Sequence, residues 1–244
     1  MYKILVIILL VLCLPIMTDE VDDILTMIDE NIYSDSQIIT SRMEIHGRRG
    51  SRVIVTKSWS RGDTDSFIEY LSPPREAGTK MLKLNDKLWI YDKNSDRIIQ
   101  MSGHLLRQSV NGSDLSYEDF MDETEYREKY KAEIIGEEIL NNSKCKILML
   151  TAKEDDATYY QRKIWVDIEH YLPLKEELYG ESGTLLKLME LSDIRKVKER
   201  WYPFKVFYKD VLNSKGKGTF ILIDSIEQDA QIPDSKFNKA SLRK

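Results

Sequence analysis

Two cysteines and three histidines in 244 residues are too few for a disulfide framework or a histidine-rich metal site. Should an N-terminal signal be removed beyond Cys13, Cys145 is the only thiol left, so the fold must hold without an internal disulfide. Cys145 sits in a run ending at Leu150 that reads as a strand, where a thiol acts as a small buried hydrophobe. His46, His104 and His170 lie far apart and none has metal-ligand spacing, so no metal or cofactor is expected. Excess charge of one sign is also missing. With 36 basic and 41 acidic residues the net charge is −5, and nucleic acid is not an expected partner. The Gly-x-Ser-x-Gly nucleophile elbow is absent. Ser214 to Thr219 is rich in lysine and glycine but lacks the phosphate-loop spacing, and reads as a hairpin turn. Adjacent acids such as Glu137-Glu138 and Glu176-Glu177 would point to opposite faces of a strand and so make poor acid/base couples. The sequence therefore offers no arrangement expected of an enzyme, and a hydrolase acting on envelope material is the weakest of the functional readings.

No apolar run is long enough to cross a membrane as a helix. Ile4 to Leu14 falls well short of the roughly 20 residues that a span requires. Preceded by Lys3 and ended by Pro15, it has the pattern of a secretory signal, here bounded as residues 1–18. Leu10-Val11-Leu12-Cys13 is similar to a lipoprotein signal, although Leu12 stands where a small residue is usual. Cleavage, acylation of Cys13 and an uncleaved anchor all stay open. Export to the periplasm is the expectation.

What the chain does have is an ordinary folded composition, 42% hydrophobic and 32% charged, with length for one filled core at residues 19–244. Val21, Ile24, Leu25, Ile28 and Ile32 mark one face of a short helix, and Asp19, Glu20, Asp22 and Asp23 crowd its first turn. From Ser36 the period changes to two. Alternating runs punctuated by turns at Gly47–Gly50, Arg61-Gly62-Asp63, Asn85-Asp86 and Lys93–Asp96 fill the chain to Met101, then resume from Tyr130 to Glu227. Residues His104 to Glu128 break that rhythm and read as short helices and loops. The expected fold is mainly β: a single strongly curved antiparallel sheet forming a half-open barrel of about 11 strands, with short helices as a lid over the concave face.

Several segments resemble the outer-membrane lipoprotein-sorting family of the LolA-like superfamily. They are Leu71-Ser72-Pro73-Pro74 with Gly78, Leu88-Trp89-Ile90-Tyr91-Asp92, and Gly112 through Phe120. Trp165-Val166-Asp167 followed by Tyr171-Leu172-Pro173-Leu174-Lys175 matches in order and spacing, as do Ile232-Pro233-Asp234 and Phe237 with Leu242-Arg243. The resemblance runs from about Glu69 to the C-terminus. It implies an incomplete antiparallel barrel with an apolar concave side under helices, and a monomer that binds lipid or lipoprotein acyl chains for transfer between envelope membranes. A membrane exporter or an outer-membrane acceptor is the partner it suggests, and its second reading is a sensory or accessory module working with an exporter of the resistance–nodulation–division type.

A carrier needs apolar area that its own side chains leave unfilled, and broad aromatic and methionine side chains suit such a lining. Trp59, Phe67, Met81, Trp89 and Tyr91 on strands, with Phe120 and Met121 on the lid, are the expected ligand-binding residues. The competing expectation for each is a place in an ordinary core.

Overall fold

The computed structural model describes residues 20–32, 34–48, 50–122, 126–154, 157–213 and 216–244. The signal-like segment and Cys13 lie outside the described residues, as do Asp19 and the side chain of Ile32. Among the described residues no helix is long and apolar enough to cross a membrane.

Helix α1 (Glu20–Ile32) starts the fold, with Glu20, Asp22 and Asp23 at its positive end. Six strands follow: β1 (Ser36–Gly47), β2 (Gly50–Arg61), β3 (Asp65–Ser72), β4 (Lys80–Leu84), β5 (Lys87–Asp92) and β6 (Arg97–Met101). Three single 3-10 turns, Gly103–Leu105, Val110–Gly112 and Tyr117–Phe120, and the short helix α2 (Tyr126–Lys129) occupy the stretch where the alternation fails. Seven more strands complete the sheet: β7 (Tyr130–Leu140), β8 (Ser143–Ala152), β9 (Gln161–Asp167), β10 (Leu172–Tyr179), β11 (Leu185–Val197), β12 (Arg200–Asp210) and β13 (Thr219–Gln228). Two further 3-10 turns, Asp234–Lys236 and Lys239–Arg243, close the chain.

All the strands join one antiparallel sheet in the order β6-β5-β4-β3-β2-β1-β13-β12-β11-β10-β9-β8-β7. Among the described residues the count is thirteen, against the expected eleven or so. Tight hairpins subdivide the first half into pieces as short as the five residues of β4 and β6, and each piece still pairs in register. Open sheets beyond about ten strands curl, and this one does. Tyr70 on β3 and Tyr208 on β12 are four strands apart, roughly 19 Å on a flat sheet at the usual strand spacing, yet both line one small cavity.

The topology dictates what fills the concave side. The chain walks outward from β1 at the centre to β6 at one edge, then must reach β7 at the other edge. Residues 102–122 and 126–129 lie across the inner face on that journey, so the lid is also the crossover. Its contacts run from the β2 side, where Gly112 approaches Arg52, to β9, where Asp122 pairs with Arg162. Helix α1 covers the remaining part of this face. Val21, Ile24, Leu25 and Ile28 pack on Leu148, Leu150, Ile164 and Val166 of β8 and β9, and on Tyr126 and Tyr130. Each fully buried aliphatic side chain contributes roughly 1.5–3 kcal/mol, which is enough to hold a helix too short to persist alone.

The outer face carries its own core. Phe67, Leu82 and Trp89 are buried there beneath Phe237 and Leu242 of the C-terminal turns. A second outer cluster joins Cys145, Trp165, Leu172 and Leu174, with Trp201 against it. Burial holds the Cys145 thiol above its ordinary value, which suits a packing role.

Candidate ligand cavity

Alternation decides which side chains meet under the crossover. The pairings Met43↔Ile54, Thr56↔Tyr70, Ile68↔Met81 and Met43↔Ile221 put these residues on the inner face, with Tyr208 reached through Thr219. Between them and the crossover lies a cavity of about 230 Å3, floored by residues such as Ile39, Ile68, Ile221 and Ile223 and roofed by Leu115 and Phe120. The polar groups on its floor are occupied with one another. Ser41 Oγ and Thr56 Oγ1 are 3.1 Å apart, and Ser58 Oγ donates to the Ile39 carbonyl at 3.4 Å. The Tyr70 hydroxyl donates to Met81 Sδ at 3.4 Å. Burial pushes the hydroxyls of Tyr70 and Tyr208 well above the ordinary phenol range, so both stay neutral. The cavity thus presents an apolar, uncharged surface, fit for hydrocarbon and unfit for acid/base work. Among the described residues no cluster of three or more His, Cys, Asp or Glu side chains could hold a metal ion.

On the far side of Leu115 lies a larger, open and polar space of about 910 Å3, with His104, Arg107, Glu118, Lys187 and Asp210 on its walls. Burial, with the Asp119 charge adding, holds the Glu118 carboxyl above its usual range against Lys187 and Arg107. Leu115 borders both spaces. It is the partition between them.

Three aspartates pin the crossover to the sheet. Asp114 is buried; its carboxylate accepts from Thr219 Oγ1 at 2.8 Å and the Asp210 amide at 3.0 Å, with Lys209 Nζ at 3.4 Å. Asp119 accepts from the Ser116 amide at 2.6 Å and pairs with Lys187 of β11, while Tyr159 donates to it. Asp122 pairs with Arg162 of β9. Replacing Asp114 with Ala strands Thr219 and the Asp210 amide. We expect a loss of about 1–3 kcal/mol, read as faster amide hydrogen exchange at Val110, Tyr117, Met121 and Asp210, with the other strand amides unchanged.

The seven expected ligand residues divide between the two faces. Phe120 roofs the cavity, Met121 packs in the same inner cluster and faces the polar space, and Met81 lies behind Tyr70. Trp59, Phe67, Trp89 and Tyr91 are on the outer face, under or beside the C-terminal turns. Their expected place in the concave cavity is corrected by strand parity. Trp59 pairs with Phe67, Phe67 with Leu82 and Leu82 with Trp89, one residue out of step with the inward row Ser58, Ile68, Met81 and Ile90. Aromatic size marked these positions as buried but not on which side. The three aspartates were missed as functional residues. Their signal is a charged or polar residue on an otherwise apolar inward row: Arg162 beside Ile164, Lys187 beside Met189, Thr219 beside Ile221.

Residues 62–244, more than half of the chain, match the model of a family whose members are described as uncharacterized proteins. The chain belongs to this family. No curated protein matches it. Among solved structures, a Vibrio parahaemolyticus domain assigned to outer membrane lipoprotein sorting superposes with a TM-score of 0.80 at 21% identity, covering 91% of this chain and 98% of that one. A DUF1329 family protein from Desulfovibrio piger gives 0.82 at 22% identity, covering 91% and 97%. A LolA superfamily protein from Nitrosomonas europaea gives 0.75 at 21% identity, covering 90% and 97%. These likenesses establish the LolA-like open-barrel fold, in agreement with the segments on which the sequence resemblance rests.

Proposed function

We propose that this chain is a non-catalytic carrier or chaperone that holds an apolar chain, the acyl tail of a lipid or lipoprotein, between its curved sheet and the crossover. In this reading residues 1–18 direct export and residues 19–244 form a periplasmic binding domain that passes its cargo between envelope membranes. The observation that carries the proposal is the apolar cavity beneath Leu115 and Phe120, which the protein's own side chains leave unfilled. An empty cavity of about 150 Å3 lined by aliphatic and aromatic side chains takes up benzene, so about 230 Å3 accepts a short length of hydrocarbon. Each buried methylene contributes about 0.8 kcal/mol. A full acyl chain needs more room, and lifting Leu115 supplies it by joining the cavity to the polar space beyond. The tail would then lie inward and the head group outward. The LolA-like fold and the lipoprotein-sorting assignment of the Vibrio structure support the same reading.

A second reading, docking to a membrane exporter without cargo, has in its favour the edge of β7, which is unpaired among the described residues and where Ile135 and Ile139 are 47% and 71% exposed. Titration with a dansyl-labelled fatty acid separates the two. A carrier gives a saturable, one-to-one rise in blue-shifted emission, and a response that never saturates contradicts it.

A further inference from the structure

The outer face carries a feature that the cavity does not use. Strand pairing sets Lys57, Glu69, Lys80 and Tyr91 in one row across β2 to β5. The C-terminal turns fold over this row and bring Lys236 and Lys244, so that an open pocket of about 290 Å3 forms between turns and sheet. Lys80 lines it. The residue is only 9% exposed, yet among the described residues its side chain has no hydrogen-bond or ion-pair partner. The Tyr91 ring offers partial compensation at 5.9 Å, the far limit of a cation–π contact, about 6 Å. The stem of Lys80 is packed against the sheet while its ammonium keeps access to the open pocket, where it is available to a bound group.

Its neighbours add to the imbalance. Lys236 stands 3.5 Å from the ring centre of Trp59 and 4.2 Å from that of Phe67. Burial, with Lys80 and Lys57 adding, holds the Lys236 ammonium below the usual lysine range, against the opposing pull of Glu69. Lys80, Lys236 and Lys244 line the pocket with one acidic side chain, Glu69, together with Ser235 and Ser241. Unneutralised ammonium groups converging on an open space beside a hydroxyl are the chemistry of an anion site.

We propose that this outer pocket binds an anion of the phosphate class, with Lys80 and Lys236 supplying the charge and Ser235 a hydroxyl donor. A lipid head group and a free phosphate share that chemistry. The overall charge of −5 conceals the site, because only folding brings Lys80 and Lys236 together.

Full-length chain is titrated with inorganic phosphate, and separately sedimented with phosphatidylcholine vesicles with and without phosphatidylglycerol. Phosphate is expected to shift the amide resonances of Lys80, Ser235 and Lys236 saturably. Lys80→Met should weaken this by about ten-fold or more through loss of a charge-assisted contact, and Glu69→Gln should tighten it several-fold. Loss of fold cannot produce these opposite signs. Lys236→Gln, on the C-terminal turn, should give the same weakening if Lys80→Met does not fold. Sedimentation that requires phosphatidylglycerol and is lost in the lysine variants assigns the anion to a lipid head group. A phosphate response without sedimentation assigns it to a free anion. If neither probe binds, or if both bind the lysine variants and the parent chain alike, the site is overturned.

Discussion

Arg162→Met is expected to lower the free energy of unfolding by about 3–5 kcal/mol at neutral pH, the usual cost of removing one partner from a buried ion pair. Arg162 is 3% exposed and Glu176 is fully buried. The guanidinium donates to Glu176 at 3.4 Å and to the Tyr130 hydroxyl at 3.0 Å, pairs with Asp122, and lies between 5.2 and 5.5 Å from the rings of Tyr126, Tyr130 and Tyr159. Removing it leaves Glu176 with the Tyr126 hydroxyl, at 2.6 Å, and frees the end of the crossover. Urea unfolding of the single variant and of Arg162→Met with Glu176→Leu measures the coupling. The double variant should be the more stable, since no buried carboxylate is stranded on β10.

The same group sets a pH dependence. Burial holds the Glu176 carboxyl above its ordinary 4.5 despite the pull of Arg162 and the Tyr126 hydrogen bond. The folded state therefore binds this proton more tightly than the unfolded chain does. Its stabilising contribution is fully present below 4.5 and declines as pH rises from there through the folded value. Glu176→Gln should remove that decline, so the margin by which the parent chain exceeds the variant narrows as pH rises. A margin that widens instead would reverse the assignment.

Ile223→Phe is expected to separate binding from stability. Ile223 lies on the cavity floor, and a larger ring there grows into space that no side chain fills. Overpacking a filled core costs about 1–3 kcal/mol, whereas filling a void leaves stability equal or higher. Denying a ligand room for two methylenes removes about 1.6 kcal/mol, so affinity for the dansyl fatty acid should fall by about ten-fold. A variant that unfolds more easily but binds unchanged would show that the ligand lies elsewhere.

Most of the architecture is legible in the residues. Period-two alternation marks the strands, the spacing from Val21 to Ile28 marks α1, and the broken rhythm between His104 and Glu128 marks the crossover. Which face of each strand turns inward is not legible, because Ser58 and Trp59 differ by one position and only the closing of the sheet assigns them. Large aromatics draw attention to the outer face, while the cavity floor is built from modest isoleucines, serines and a threonine. The Gly112 to Phe120 segment carries the family resemblance without revealing that Asp114 and Asp119 are staples, since their partners Thr219 and Lys187 lie 105 and 68 residues away.

The four tryptophans, at positions 59, 89, 165 and 201, all belong to the outer face, and this leaves the inner face without tryptophan emission. A brominated fatty acid, which quenches tryptophan on contact, should leave the emission of the parent chain unchanged. Phe120→Trp should add emission from the roof of the cavity that the same fatty acid quenches saturably. Quenching of the native tryptophans, with the added emission untouched, would place the hydrocarbon outside the sheet and contradict a cargo held beneath Leu115.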